Sequence, residues 1–329
     1  MGRGRGFEYF DSQSGEKIVD SDTLQRIRDL VLPPAWTDVW ICPYPNGHLQ
    51  AVGVDAAGRQ QYRYHDVWRE RRDTEKFNRM LDFAAELPQL RKSCAELLGR
   101  EELDRERVLA CAVRLLDHGF FRIGTEEYNT FGLATIRKEH VTLRDGTVTF
   151  DYPSKGGKQR LVSVVDPAVA EVVGMLERRR SGGPELLAYR EGRRWVNLRS
   201  RDINAFIKEH CGNDFTAKDF RTWSATVLAA VALAVSAAAA TSKTARRRAV
   251  NRATSEVAHY LGNTPAVARR AYIDPRVFDR YQSGWTIAGV LDELGTTFGE
   301  PSIQGRVEEA VLDLLREQTS SDDVERVPT

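Results

Sequence analysis

The chain has 329 residues, 41% of them apolar and 29% charged, and its formal net charge at pH 7 is +1. That length suits two domains with separate cores, and the composition is typical of a soluble globular protein. The cysteines Cys42, Cys94, Cys111 and Cys211 form no CxxC pair, which disfavours a zinc site or a disulfide framework and fits a reducing cytosol. The N-terminal sequence MGRGRGFEYF lacks the apolar stretch of a signal peptide, so we expect a cytoplasmic protein.

The near-neutral net charge hides an uneven distribution. Locally basic runs lie at 3–5, 69–72, 178–180, 190–201 and 243–252, whereas 308–325 is mostly acidic. A polyanion would meet these basic faces rather than the sum of all charges. Any one run taken alone is better explained as the solvated face of a helix.

Residues 1–84 are predicted to form a small β-rich domain. The runs VWICPYP, HLQAVGVD and RQQYRYH are strand-like, and Pro-Asn-Gly and Ala-Gly turns separate them. A helix near 68–83 is expected to close the domain. Pro88 then interrupts the helical pattern, so 85–91 is predicted to be a linker.

Residues 92–318 are predicted to form a larger, mainly helical domain, followed by a loose polar tail at 319–329. Within 139–165 two alternating runs flank Asp145-Gly146, and a third follows Lys155-Gly156-Gly157, which predicts a three-stranded antiparallel sheet. Helices are predicted near 166–180, 201–211, 217–240 and 243–261, after the N-cap pairs Thr264-Pro265 and Asp274-Pro275, and amphipathically at 307–317. The predicted fold class is therefore α+β.

The segment 223–240, WSATVLAAVALAVSAAAA, is free of charge and about as long as a membrane span. It is rich in alanine, however, and alanine favours membrane insertion weakly compared with leucine or phenylalanine. A helix that is apolar on all sides is also typical of the middle of a helical domain. We therefore expect a buried core helix and no membrane partner.

Four separated motifs contain candidate functional residues: FRIGTEEY at 121–128, DYPSKGGK at 151–158, KDFRTW at 218–223 and LGNTPAVARRAY at 261–272. Each is weak alone, because a single arginine, tyrosine or turn lysine usually has a structural explanation. Together and in this order, they resemble the catalytic domain of poxvirus-type bacterial type IB topoisomerases. The N-terminal stretch LPPAWTDVWICPYPNGHLQAVGVDAAGRQQYRYH resembles the same family, so the resemblance runs from about residue 24 to about residue 283.

The resemblance implies a role for each of five residues. Tyr272 would be the nucleophile, Arg122 and Arg221 would clamp the phosphate, and Lys155 would be the general acid. Asn263 stands where poxvirus enzymes have a histidine, and the bacterial members are similar in having asparagine there. A role that needs a titrating imidazole is thus in doubt, whereas a role as hydrogen-bond donor is not.

The resemblance also implies contacts with DNA. Gln61, Tyr62 and Tyr64 match positions that approach the major groove in the family, and amide and phenol groups can read base edges or bind phosphates. Lys218, in the KDFRTW motif, is expected to bind DNA as well. Without the resemblance, 59–65 would be an ordinary strand with alternating aromatic residues.

The implied reaction explains why these residue types are needed. A tyrosine oxygen attacks a phosphodiester and expels a 5′-hydroxyl, so negative charge builds on the non-bridging oxygens. Two guanidinium groups and an amide can bind those oxygens. The 5′-oxygen needs a proton, which a lysine on a flexible hairpin can deliver. The tyrosine, with a reference pKa near 10, must be activated by nearby positive charge.

We expect the protein to use no cofactor. The sequence contains no GxxxxGK[ST] loop, no HExxH motif and no compact cluster of Asp and Glu, so neither ATP nor a metal ion is expected to take part. The 3′-phosphotyrosyl bond is close in energy to the bond that is broken, so resealing needs no nucleotide. The expected partner is double-stranded DNA, which a monomer would hold as a clamp in the cytoplasm beside the nucleoid.

Two other functions remain open from the sequence. A site-specific tyrosine recombinase would share the arrangement of Arg, Lys, Arg and Tyr, but recombinases usually have HxxR where this chain has KxxR, with Lys218 in place of the histidine. A DNA-binding protein without catalysis would keep the basic faces, but it would not need Tyr272 and Lys155.

Overall fold

The computed structural model describes residues 7–124, 131–212, 215–293 and 303–327. These residues form helices and small antiparallel sheets, which confirms the predicted α+β class. The chain divides into two compact units, Met1–Asn78 and Arg79–Thr329, so the first unit ends before the predicted boundary at residue 84. The basic run at 3–5, residues 125–128 of the FRIGTEEY motif and residues 328–329 of the tail lie outside the described residues.

The first unit contains the predicted three-stranded sheet. Helix α1 (Ser21–Asp29) precedes strands β1 (Thr37–Ile41), β2 (Leu49–Val54) and β3 (Gln60–Tyr64). The strands are antiparallel in the order β1–β2–β3, so β3 lies at an edge. The buried side chain of Gln50 donates to three carbonyl groups of the loop between β1 and β2, which fixes that loop.

Helix α2 (Asp66–Leu98) begins in the first unit and ends in the second, so the predicted linker at 85–91 is wrong. Pro88 lies inside the helix and is exposed, whereas the neighbouring residues Ala84, Leu87 and Leu90 are buried. A proline costs a helix about 3 kcal/mol, because it removes one hydrogen bond and crowds the preceding turn. Burial of the apolar face outweighs that cost here.

The second unit is mainly helical. Its helices after α2 are α3 (Arg105–Gly119), α4 (Pro167–Arg178), α5 (Ser200–Cys211), α6 (Ala217–Ala237), α7 (Lys243–Leu261), α8 (Pro265–Ala271), α9 (Pro275–Gln282) and α10 (Arg306–Leu315). Short 3-10 helices lie at Leu133–Thr135, Lys138–His140 and Ala288–Glu293. The predicted helix starts at Thr264 and Asp274 are confirmed, because each side chain accepts a backbone N–H of the helix that follows.

Small antiparallel sheets accompany these helices among the described residues. Strands β4 (Val141–Arg144), β5 (Thr147–Pro153) and β6 (Gln159–Val165) form the predicted antiparallel sheet, and both residues of the Asp145-Gly146 turn have positive φ. A hairpin of β7 (Ala188–Glu191) and β8 (Arg194–Asn197) was not predicted. Its sequence was interpreted only as a basic run, because its arginines obscure the alternation of apolar and polar residues that is typical of a strand.

Helix α6 is the buried core helix that the sequence predicted. Its sides contact α3, α5, α7, α9 and α10, and most of its residues are buried within the unit. Among the described residues, it is the one helix long and apolar enough to cross a membrane, a property that core helices share.

The polar tail is partly ordered, which corrects the prediction of a loose segment at 319–329. Strand β10 (Glu325–Arg326) pairs with β9 (Trp285–Thr286) in an antiparallel ladder. Val324, next to the strand, is buried. A two-residue strand leaves no periodic pattern in a sequence, so only the fold reveals it.

Pro88 gives a test of the continuous helix α2. Because Pro88 is exposed and lacks the N–H that the helix needs, Pro88→Ala should raise the free energy of unfolding by roughly 1–2 kcal/mol, after allowing for the more flexible unfolded chain. Urea unfolding followed by circular dichroism measures the change. The matched control Gln89→Ala, at the neighbouring exposed position, should leave stability within about 0.5 kcal/mol. A less stable Pro88→Ala variant would argue for a break in the helix at this point.

Candidate active site

The end of helix α7 positions Asn263. Gly262 follows the helix in the left-handed conformation, with φ of 63°, and its N–H bonds to the carbonyls of Ala258 and His259. The N–H of Asn263 then bonds to the Ala258 carbonyl at 2.9 Å. Glycine suits this position because it has no side chain to clash there. The arrangement places the Asn263 side chain directly beyond the helix.

Arg122 lies just after helix α3, in a segment held by backbone pairing. The N–H of Leu133 donates to the Arg122 carbonyl at 2.8 Å. Gly124, with φ of 77°, and Gly132 approach so closely that a side chain on Gly132 would come within 2.5 Å of the Gly124 backbone. Two glycines at this contact therefore let the segment fold tightly and fix the backbone of Arg122.

The side chain of Arg122 reaches the end of α7. Its Nη2 donates to Oδ1 of Asn263 in a short hydrogen bond and lies 3.4 Å from the Gly262 carbonyl. Because Oδ1 accepts this bond, the amide nitrogen of Asn263 points elsewhere and is available as a donor. The structure thus brings together two residues that the sequence assigned to the same phosphate.

Arg221, on α6, contacts the same turn from another side. Its Nη2 donates to the Leu261 carbonyl at 2.9 Å, and its Nη1 donates to the Phe120 carbonyl at the end of α3. Only 4% of the residue is exposed. These two bonds fix the guanidinium group between α3, α6 and α7.

Arg160, on β6, is a third arginine at this turn, and the sequence analysis did not single it out. Its Nη2 donates to the Tyr260 carbonyl at 2.7 Å, and its Nη1 lies 3.3 Å from the His259 carbonyl. It ties the sheet that carries Lys155 to the end of α7. The only signal was its place after the DYPSKGGK motif, which does not distinguish it from other basic residues.

Tyr272 closes the site at the end of α8. Its N–H bonds to the Ala268 carbonyl at 3.0 Å, and its ring centre lies 5.2 Å from Cζ of Arg221. The fully buried Thr226 on α6 holds the backbone beside it, because its hydroxyl accepts the Asp274 N–H at 3.1 Å and lies 3.3 Å from the Tyr272 carbonyl. Thr226 was also missed, since nothing in its local sequence marks it.

Positive charge sets the titration of the site. Burial opposes ionisation of Tyr272, but the charges of Arg221 and Arg122 prevail and lower its pKa. Burial, and then the like charge of Arg122, lowers the pKa of Arg221 to about 10. Tyr152 is subject to the same arginines, yet its deeper burial raises its pKa. Of these two tyrosines, only Tyr272 is shifted towards its anion.

Two donors of the site lack an acceptor. Nε of Arg221 and Nδ2 of Asn263 are buried and have no hydrogen-bond partner among the described residues. Over the same residues, no carboxylate forms an ion pair with Arg122, Arg160 or Arg221. Buried donors normally have partners. A ligand with several anionic oxygens would supply them.

The two lysines lie differently. Lys155 is exposed on the turn between β5 and β6, where Gly156 and Gly157 both have positive φ. The described residues offer its Nζ no hydrogen bond or ion pair. Lys218 is exposed on the first turn of α6, and its charge contributes to the lowered pKa of Tyr272.

The predicted DNA contacts of the first unit occupy both faces of β3. Tyr62 and Tyr64 share one face and stack at 6.2 Å, and Tyr64 also stacks on Trp68 at 4.5 Å. Gln61 lies on the other face, where its amide donates to Asp55 at 2.9 Å. Tyr62 is 49% exposed. Trp68 therefore extends the aromatic surface and was missed, because it lies on a helix rather than on the strand.

Within the described ranges, no group of three or more His, Cys, Asp or Glu side chains is placed to hold a metal ion. The polar groups that meet at the site are arginines, an asparagine and a tyrosine.

Comparison with known proteins agrees with this geometry. Residues 65–289 match the family described as eukaryotic DNA topoisomerase I, catalytic core, and residues 6–55 match the bacterial DNA topoisomerase IB N-terminal domain. The chain therefore belongs to the type IB DNA topoisomerase family, and it is an isomerase that acts on DNA. A DNA topoisomerase 1B from Acanthamoeba polyphaga mimivirus is 29% identical over 291 residues, which cover 85% of this chain and 86% of that protein.

Thr226 gives a test of how Tyr272 is positioned. Thr226→Val keeps the shape of the side chain but removes the acceptor for the Asp274 N–H, so topoisomerase activity should fall by roughly 10- to 100-fold. Thr226→Ser keeps the hydroxyl and should stay within about threefold of wild type. The rate at which each variant relaxes supercoiled plasmid measures both effects.

Thr254 provides the control for this test. It is also a buried threonine, but its hydroxyl donates only to the Val250 carbonyl of its own helix. Thr254→Val should therefore leave the rate nearly unchanged. If Thr226→Val reacts as fast as Thr254→Val, the Thr226 hydroxyl has no part in placing the tyrosine.

Proposed function

We propose that this topoisomerase relaxes supercoiled duplex DNA by cutting one strand through Tyr272, letting the strand rotate and then resealing it. The intermediate is a 3′-phosphotyrosyl bond, and neither a metal ion nor a nucleotide takes part. The observation that carries this proposal is the pair of buried, unpartnered donors, Nε of Arg221 and Nδ2 of Asn263, in a cluster of uncompensated arginines beside a tyrosine of lowered pKa.

The proposed cleavage step assigns a task to each group. Oη of Tyr272 attacks the phosphorus after losing its proton, and the bond between phosphorus and the 5′-oxygen breaks. Arg122, Arg221 and Asn263 stabilise the negative charge on the two non-bridging oxygens. Because the arginines are already bonded to backbone carbonyls, they need little reorganisation when the charge develops.

Lys155 is proposed to donate the proton that the departing 5′-oxygen needs. Its exposure on a turn with two glycines supports a residue that moves towards bound DNA. Arg160, the second residue of β6 and close to this turn, anchors the strand to the Tyr260 carbonyl. The turn that carries Lys155 is thus held near the end of α7, while the lysine itself stays exposed to incoming DNA.

The reverse reaction uses the same groups. The 5′-hydroxyl attacks the phosphotyrosyl bond, Lys155 accepts its proton, and Tyr272 leaves as a phenolate that the positive field stabilises. We further propose that the protein works as a monomeric clamp in the cytoplasm beside the nucleoid. The edge strand β3 of the first unit would contact the major groove, with Tyr62 and Tyr64 on one face and Gln61 on the other, and Lys218 would bind the backbone.

Tyr272→Phe tests the nucleophile. It removes the attacking oxygen but few phosphate contacts, so the detergent-trapped covalent adduct should disappear while the Kd for duplex DNA changes by less than about tenfold. The assay is run in a chelator without nucleotide, where the wild-type adduct is expected to form. Tyr260→Phe, at an exposed tyrosine on α7, is the control and should keep the adduct. An adduct that survives Tyr272→Phe, or a wild-type reaction that needs magnesium, would contradict the proposal.

Lys155→Ala tests the general acid. A sulfur in the 5′-bridging position leaves as a thiolate, whose conjugate acid is far more acidic than an alcohol, so it needs no proton donor. Lys155→Ala should therefore cleave normal DNA very slowly and cleave 5′-bridging phosphorothiolate DNA at close to the wild-type rate. Lys158→Ala, on the same exposed turn, is the matched control and should cleave both substrates normally.

The variants Arg122→Ala and Arg221→Ala are tested on the same two DNA substrates. Their main task is to stabilise charge on the non-bridging oxygens, so sulfur should restore their rates much less. A Lys155→Ala variant that sulfur does not rescue would remove Lys155 from the acid role and make Lys158 or Lys218 the next candidate.

A further inference from the structure

The proposed mechanism does not use a largely buried ionic cluster in the second unit, which Arg91, Asp117 and Glu308 form. Arg91 on α2 donates from Nε and Nη2 to the Asp117 carboxylate at 2.8 and 2.9 Å. The same guanidinium group donates to the Glu308 carboxylate of α10 at 2.5 and 3.0 Å. Gln304 donates to Asp117 at 3.0 Å. Arg91 therefore holds two carboxylates from distant parts of the chain.

Glu308 also contacts the helix that carries Arg221. Its Oε1 accepts the indole N–H of Trp223 at 2.6 Å, and Trp223 is fully buried on the turn of α6 that also carries Arg221. Glu308 is itself only 8% exposed. The bond fixes α6 against rotation about its axis at the level where Arg221 must face the end of α7.

Asp117, the other carboxylate of the cluster, is close in the chain to Arg122. Asp117 lies in the last turn of α3, and the chain continues through Phe120 to Arg122. The carbonyl of Phe120 accepts from Arg221. A cavity of about 30 Å³ is bounded by Asp117, Phe120 and Glu308 together. The cluster thus braces α3 and α6 at the point where each presents an arginine.

The packing of α10 does not require this carboxylate. Val307, Val311 and Leu314 already bury an apolar face of the helix. A buried ion pair is a weak source of stability, and an apolar residue of similar volume is often as good. Glu308 also accepts the Gly305 N–H at 3.3 Å, a capping contact near the start of the helix. A capping or purely structural role predicts no specific effect on catalysis, so kinetics separate the two explanations.

We infer that Glu308 is a positioning residue for the cleavage reaction and that it acts on Arg221 through the indole N–H of Trp223. The inference rests on the proposed function, since it assumes that Arg221 binds the reacting phosphate. It gives a task to the C-terminal helix, which lies beyond the residues 65–289 matched by the catalytic-core family. A small rotation of α6 would move the guanidinium group and weaken charge stabilisation in the transition state more than DNA binding.

The test measures the single-turnover rate of adduct formation on end-labelled duplex DNA, together with the Kd for the same DNA. Glu308→Leu removes the acceptor but leaves Arg91 paired with Asp117, so we expect a rate at least about tenfold lower with the Kd within about threefold. Glu308→Gln keeps an acceptor for Trp223 and should stay within about threefold of wild type. Glu309→Leu, the same change on the exposed side of α10, should have no effect.

Trp223→Phe keeps the test decisive if Glu308→Leu does not fold. It removes the same hydrogen bond while the pairing of Glu308 with Arg91 remains, and it should slow adduct formation by a similar factor. A folded Glu308→Leu or Trp223→Phe variant that reacts at the wild-type rate would overturn the inference. A wild-type enzyme that forms no adduct would instead overturn the proposed function, so the two failures are distinguishable.

Discussion

The C-terminal turn of α7 is the constraint on which the candidate site depends. Arg122, Arg160 and Arg221 come from three separate elements, and each donates to a backbone carbonyl within 259–262. The last carbonyls of a helix have no partner within the helix and carry the negative end of its dipole, so they attract cations. Guanidinium groups bonded in this way cannot swing freely. Their positive charge is therefore in place before any substrate binds.

Burying these positive charges costs free energy, which other interactions in the fold must offset. Burying a charge such as that of Arg221 costs several kcal/mol, and each hydrogen bond to a charged group contributes roughly 1.5–3 kcal/mol in return. Arg91, by contrast, is fully matched by Asp117 and Glu308. The described part of the chain thus neutralises Arg91 and leaves Arg122 and Arg221 without a carboxylate. The packing of α3, α6 and α7 holds that uncompensated pair, and an oxyanion is its natural complement.

Local signals predicted most of the fold, because they depend on neighbours in the sequence. The Asp145-Gly146 turn predicted the β4–β5 hairpin, and Thr264 and Asp274 marked the starts of α8 and α9. Pro88 led to the wrong prediction of a linker, because the free-energy cost of a proline in the helix is smaller than the gain from burying the apolar face of α2. Strand β10 was not predicted, because it is too short to show a periodic pattern. It forms only because β9 is available to pair with it.

Some residues of the candidate site could likewise be predicted from the sequence, and others could not. Residues that would touch the phosphate have types that the chemistry restricts, so Tyr272, Arg122, Arg221 and Asn263 were recognisable from motifs, and the structure brings them together. Their supports are ordinary residues whose partners are far away in the chain: Thr226 meets Tyr272 across 46 positions, and Glu308 meets Arg91 across 217. Any donor or acceptor of suitable reach can serve as such a support. Chemistry therefore limits the groups that react, whereas only the fold limits those that hold them, and a helix outside the matched catalytic core can supply one.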